Sequence, residues 1–139
     1  MDQVLALANL YNNRILGPNC IGVLNPYIHL HTGFYSDNLL QGDIALTSQI
    51  DALASSILDR AAKDNFGFSS IVSLSSMSDI NISDLIEYFY EDDKTNNIFY
   101  LHREYPRYRS IISITTIVNC EKPISCFNIE FTNLSSIFH

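Results

Sequence analysis

An α/β fold built on a parallel sheet is what this sequence predicts, and three observations predict it. Short apolar runs alternate with helical patterns in the order strand, helix, strand, helix, strand. The repeat is roughly 25 to 30 residues per unit, the length of a strand plus a crossover helix. The 139-residue chain is also 47% hydrophobic, with eight Phe and eight Tyr, enough apolar material for one compact core.

The elements follow in order. Asp2–Tyr11 reads as a helix, with Val4, Leu5, Leu7, Ala8 and Tyr11 at helical spacing. The chain opens in the middle of that pattern, so it is expected to be cut from something longer. Arg14-Ile15-Leu16 reads as a short strand ended by Gly17-Pro18-Asn19, and Ile21–Leu24 as another, ended by Asn25-Pro26. A polar loop is expected from Tyr27 to Gly42. Asp43–Thr47 is a buried strand leading through Ser48-Gln49 into a helix over Asp51–Lys63. Its apolar face is Leu53, Ala54, Ile57, Leu58, Ala61 and Ala62. Asp51 falls in the first turn, where a negative charge suits the helix dipole. After Gly67, Phe68–Leu74 is the next strand. Ser83 is the expected cap of a helix over Asp84–Tyr90, followed by an acidic turn at Glu91-Asp92-Asp93 and a strand over Asn97–Leu101. Beyond His102 the pattern weakens. Pro106 can open a helix, Ile111–Val118 is rich in β-branched residues and suits a strand, and Lys122–Ile129 is a candidate last strand. Glu130–His139 has no clear period.

Charge and cysteine count narrow the function. Eight basic against 15 acidic side chains give a net charge of −7, which argues against nucleic acid or an anionic membrane as partner. The three cysteines, Cys20, Cys120 and Cys126, are odd in number and lack zinc-site spacing; they read as free thiols in a reducing, cytoplasmic setting. The amino terminus is not a signal peptide, and no run approaches the roughly 20 apolar residues that span a bilayer. His29 and His31 form an i, i+2 pair, but nothing in the sequence completes a metal site.

Six blocks in a fixed order carry a resemblance. They are RILGPNCIGVLNP (14–26), GDIALTSQ (42–49), ALASSILDRAA (52–62), GFSSIVSL (67–74), DINISDLIEYF (79–89) and the strand ending Tyr100-Leu101. Together they resemble the second domain of NDP-forming acyl-CoA ligases, that is, the acetate-CoA ligases and succinyl-CoA synthetase α-subunits. The same domain occurs in the ligase-like region of bacterial protein lysine acetyltransferases. The resemblance implies a flavodoxin-like domain over 14–139, degenerate after about residue 124, with 1–13 the remnant of a preceding CoA-binding Rossmann domain. It implies CoA and ATP/ADP as cofactors of the whole enzyme, and CoA-binding and ATP-grasp domains or subunits as partners. The implied reaction interconverts acyl-CoA, NDP and phosphate with acid, CoA and NTP through a phosphohistidine. A piece of that machinery is expected to lack activity alone; the alternative is a non-catalytic interaction subunit or a remnant of a lysine acetyltransferase.

The implied site residues lie at the carboxyl ends of the strands, where ligands of parallel sheets bind. Gly17, Pro18, Asn19 and Cys20 form a loop that in the family lies near the CoA thiol; the same residues also read as a turn that simply ends a strand. Ser48 and Gln49 match part of the family's Ser-x-Ser-Gly turn, whose helix N-terminus holds a phosphoryl group. Ile50 and Asp51 replace the second Ser and the Gly. An aspartate about 4 Å from a phosphate costs roughly 4 kcal/mol per charge pair at an effective dielectric near 20, so a capped helix holding no anion is the reading here unless Asp51 points away. His102 stands where the family has a Glu after its strand, with Glu104 two residues on; His102-Arg103-Glu104 also reads as a surface cluster. His139 is the only histidine after Lys122-Pro123 that could stand for the phosphoryl acceptor, and it lacks the family's His-Thr-Gly context.

Overall fold

In the computed structural model, residues 1–33, 35, 39–103 and 122–129 are described, the backbone alone for Arg103 and 126–129. A six-stranded sheet carries helices on both faces. Its elements in chain order are α1 (Asp2–Leu10), β1 (Val23–Asn25), β2 (Leu30–His31), β3 (Leu40–Ser48), α2 (Asp51–Asp64), β4 (Gly67–Ser73), α3 (Ile82–Glu91), β5 (Asn97–Arg103) and β6 (Ile124–Ile129).

The spatial order is β2-β1-β4-β3-β5-β6. Strands β4, β3, β5 and β6 are mutually parallel, whereas β1 pairs antiparallel with both β2 and β4. In chain order the parallel strands therefore lie second, first, third, fourth, the doubly wound order of a flavodoxin-like sheet. Three expectations about the strands are corrected. The sheet is not parallel throughout, since β1 and β2 add an antiparallel edge. Arg14-Ile15-Leu16 is not a strand: its backbone pairs with the β4–α3 connection, through Ile80 N–H to Ile15 O at 3.2 Å and Ser78 N–H to Gly17 O at 3.2 Å. The segment expected as a polar loop also contributes β2 and the first residues of β3.

Alternation along the central strands explains why both faces are covered. On one face Ala45, Val72, Ile98 and Tyr100 meet Ile82, Leu85, Ile86 and Phe89 of α3. On the other, Leu46, Ile71 and Leu101 meet Leu58 and Ala61 of α2. Odd and even residues of one strand thus serve different cores, as the two-residue period demands. The register Leu46↔Ile71 and Leu46↔Phe99 keeps this alternation in step across the sheet.

Local chemistry fixes the ends. Asn81, not Ser83, caps α3. Its side chain accepts from Ser83 N–H, while Asp84 accepts from Asn81 N–H in a capping box. Asn65 ends α2 in the left-handed region at φ 55°. Gly67 is required where β4 starts beside β3, because a Cβ there would lie 2.2 Å from Gln41 O.

Lys122 ties the last strand to α3. Its Nζ donates to Phe89 O at 3.2 Å and Asp92 O at 2.7 Å, satisfying carbonyls at the helix end. Lys122→Met is expected to cost about 1–2 kcal/mol, read as a lower urea midpoint with an unchanged slope.

Candidate functional site

The order of the parallel strands reverses at β3. Helix α2 leads from β3 to β4 on one side, and α3 carries the chain back past β3 to β5 on the other. The crevice at such a switch point, beyond the carboxyl ends of β3 and β5, is where sheets of this kind bind ligands. Here that edge is assembled from three segments.

The first is the turn at Gly17–Cys20. Gly17 adopts φ 95°, the Gly17–Pro18 bond is cis, and Asn19 sits in the left-handed region at φ 58°. A Cβ on Gly17 would lie 3.0 Å from Cys20 Sγ, so only glycine suits both the dihedral and the space. Gly17 is buried, Cys20 half-buried, and Pro18 and Asn19 are exposed. The turn rests on the second segment, the β4–α3 connection: Ser76 Oγ donates to Pro18 O at 3.4 Å, and Ser78 N–H to Gly17 O.

A carboxylate anchors this contact. Asp79 accepts from Ile15 N–H at 2.6 Å and from Arg14 Nε at 2.9 Å, and Arg14 also reaches Asp84 at 3.4 Å. The Ile15 N–H, followed by the Arg14 guanidinium, holds the Asp79 carboxyl below the ordinary carboxylate range. A depressed folded-state pKa contributes stability that is fully present above the unfolded value, about 3.9, and is lost as pH falls through the folded value. Thermal melts of Asp79→Asn and the parent chain should therefore differ most above about pH 4 and converge below it.

The third segment joins β3 to β5. Gln49 N–H donates to Leu101 O at 3.0 Å. Its side chain spans the crevice: Gln49 Nε2 donates to Met77 Sδ at 3.4 Å, and Oε1 lies 2.8 Å from His102 Nδ1. Tyr100 Oη is 3.1 Å from the same nitrogen. Strand β5 runs on through Arg103, so His102 lies within the strand rather than after it. A continuous path of contacts links Gly17 and Pro18, through the β4–α3 connection, to Gln49 and His102.

Ser48 belongs to the other face. Its hydroxyl donates to Ile50 O and accepts from Ile50 N–H, both at 2.9 Å, which closes the turn into α2. Asp51, the first residue of that helix, accepts from the hydroxyl of buried Ser73 on β4. The carboxylate is thereby turned onto the end of β4. His29 and His31 lie at the far edge of the sheet, lining a cleft of about 510 Å³ with Leu24, Pro26, Leu39 and Gln41. Among the described residues no three His, Cys, Asp or Glu side chains converge as a metal site would need. His139, Glu104 and Cys120 lie outside the described residues, as does the side chain of Cys126.

Comparison with known proteins decides the family. The family model for the succinyl-CoA ligase like flavodoxin domain matches residues 41–130. The chain belongs to that family. It is 36% identical over 123 residues to an ADP-forming acetate–CoA ligase of Methanocaldococcus jannaschii, spanning 88% of this chain and 17% of that protein. It is 30% identical over 122 residues to the α-subunit of ADP-forming acetate–CoA ligase II of Pyrococcus furiosus, spanning 88% of this chain and 26% of the subunit. Among solved structures, the dinucleotide-forming acetyl-coenzyme A synthetase 1 of Ca. Korarchaeum cryptofilum, in complex with phosphate and ADP, superimposes with a TM-score of 0.82 at 29% identity, covering 91% of this chain and 28% of that one. The succinyl-CoA-ligase-like chain thus spans less than a third of the length of these relatives. Among its described residues no helix is long and apolar enough to cross a membrane.

The strand-end rule marks Leu74–Asp79, with Met77 and Asp79 in it, as a place to look for the site, alongside Gly17–Cys20, Ser48–Asp51 and Leu101–Glu104. Which residues these side chains meet leaves no local signal, because the contacts join positions far apart in sequence.

Proposed function

We propose that this chain supplies the flavodoxin-like domain of an ADP-forming acyl-CoA synthetase, in which acyl-CoA, ADP and phosphate are interconverted with the free acid, CoA and ATP. The observation that carries the reading is the gathering of the Gly17–Cys20 turn, Gln49 and His102 at the switch point of a sheet whose relatives are ADP-forming acetate–CoA ligases. In this reading Gly17, Pro18, Asn19, Cys20 and Gln49 border the CoA and phosphate groups, and Ser48 shapes the turn beside them. CoA-binding and nucleotide-binding units are the partners. Residues 1–13 belong with the CoA-binding unit; in support, α1 buries none of its residues and exposes Val4, Leu7 and Leu10.

The chain alone is inactive in this reading. Two features support that. The Ser48 hydroxyl is engaged by Ile50, and Asp51 keeps a negative charge in the first turn of α2 even with its carboxylate bonded to Ser73, which opposes a phosphate at that opening. Incubation with labelled ATP or with acyl-CoA and labelled phosphate should leave no acid-labile phosphate on the polypeptide. Covalent label on the isolated chain would refute the assignment of inactivity. Submicromolar CoA binding in a calorimetric titration would refute the need for a separate CoA-binding unit.

A further inference from the structure

We propose that Arg14–Ile21 is a strap that seats on the β4–α3 connection as one unit, and that Asp79 is the positioning residue that keeps it seated. The strap adds no strand to the sheet. Between Asn13 and Gly22 only Gly17 is buried, and a glycine brings no side chain to pack. Leu16 rests against the core on the α3 side while staying half-buried. A stretch with so little apolar burial opens at a lower free energy than the sheet beneath it.

What seats the strap is polar. Ser78 N–H donates to Gly17 O and Ile80 N–H to Ile15 O, both at 3.2 Å, and Ser76 Oγ donates to Pro18 O at 3.4 Å. Asp79 makes the shortest contacts of the set, accepting from Ile15 N–H at 2.6 Å and from Arg14 Nε at 2.9 Å. Both involve a charge, which makes them the stronger kind. The carboxylate also stands on a fixed base. It lies two residues before Asn81, the cap of α3, and that helix is packed on the sheet through Ile82, Leu85, Ile86 and Phe89.

The backbone marks both ends of the strap. Asn12 adopts φ 55° and Gly22 φ 111°. On the far side of Asn12 the chain is α1, to which Asn13 N–H is still tied through Ala8 O at 2.8 Å. From Gly22 onward the chain belongs to the sheet: Gly22 O accepts from Ser73 N–H at 3.1 Å, and Val23 pairs with Val72. Positions of this kind, at the ends of elements, are where hinge motions are absorbed.

In the acyl-CoA ligase reading the seated strap is the state that binds, because the Gly17–Cys20 turn borders the ligand only there, and apparent affinity falls with the seated fraction. Only this consequence rests on that reading. Seating is measured on the chain without any ligand, so the two fail separately.

The test is amide hydrogen exchange of the full chain across low urea concentrations, followed by NMR. Ile15, Ser78 and Ile80 report the seating, because their bonds cross between strap and connection. Leu74 N–H, bonded to Ser48 O, reports the sheet. In the parent chain the three should share one opening equilibrium, with a smaller urea slope than Leu74. Asp79→Ala should speed exchange at Ser78 and Ile80 roughly tenfold, although neither amide bonds to Asp79. Lys122→Met, which weakens the fold elsewhere, should leave those two rates unchanged. Exchange at Ser78 and Ile80 that matches Leu74 in rate and slope would overturn the proposal, as would equal acceleration in Lys122→Met or none in Asp79→Ala. Should Asp79→Ala fail to fold, Asp79→Asn, which keeps an acceptor for Ile15 N–H and loses the charge, decides on the same two amides.

Discussion

Phe89→Ala is expected to destabilise the chain by about 3–5 kcal/mol, the cost of removing a large aromatic side chain from a packed core. Phe89 is fully buried and lies where α3 meets the sheet, among Ile86, Leu85, Ala45 and Tyr100. Truncation removes the transfer energy of the ring and leaves a cavity among neighbours held on two rigid elements, which limits collapse. The loss is a large share of the roughly 5–15 kcal/mol that stabilises a domain of ordinary size. Neighbouring Tyr88 provides the contrast. It is 57% exposed and meets the Phe89 ring edge-on at 5.4 Å. Tyr88→Ala should cost about 0.5–1.5 kcal/mol, the value of the aromatic contact. Urea unfolding of both variants checks the pair; equal losses would show that α3 is not seated through Phe89.

The second large effect belongs to Asp51. Its carboxylate is the acceptor for Ser73, a residue 2% exposed, and it sits in the first turn of α2. Asp51→Ala leaves the Ser73 hydroxyl buried without that acceptor, at about 1–3 kcal/mol, and removes a favourable charge at the helix start, about 0.3–1 kcal/mol. Ser73→Ala removes donor and need together and should cost less. A double-mutant cycle then reads the coupling directly, and additive losses would mean that the contact contributes nothing. Replacing the aspartate should also lower the repulsion that a phosphate would meet at the opening of α2, so a gain of phosphate affinity in Asp51→Ala is the expected companion result.

The three units with the strongest local pattern are legible in the sequence. The apolar stripe of Ala54, Leu58 and Ala61 predicts α2 to within a residue, and the run Phe68–Leu74 predicts β4 shifted by one. Asn97–Leu101 predicts β5 short by two residues, because His102 and Arg103 look like a loop when their partners on β6 are not in view. The misses share a cause. Arg14–Leu16 is apolar enough to read as a strand, yet its backbone partners lie about the β4–α3 connection more than sixty residues away, and nothing local distinguishes them. The direction of β1 is invisible to periodicity, since alternation is identical in parallel and antiparallel pairs. Ser83 and Asn81 are both good caps; Asn81 prevails because Asp84 lies three residues on and completes the box.

The site divides in the same way. The location of Gln49 at the carboxyl end of β3 follows from the chain order of strands and helices, whereas Gly17–Cys20 reaches the same edge with no strand before it, through the contacts of Gly17 and Pro18 with the β4–α3 connection. The bridge between Gln49 and His102, 53 residues apart, depends on which strand lies beside β3, and that is a property of topology rather than of either residue.

The clamp on Asp79 makes α1 a lever. The helix buries none of its residues, but the chain leaving it is gripped by one carboxylate two residues before the glycine turn. The chain that joins the helix to the glycine turn is therefore held rather than slack, and the turn itself rests on the serines of the β4–α3 connection.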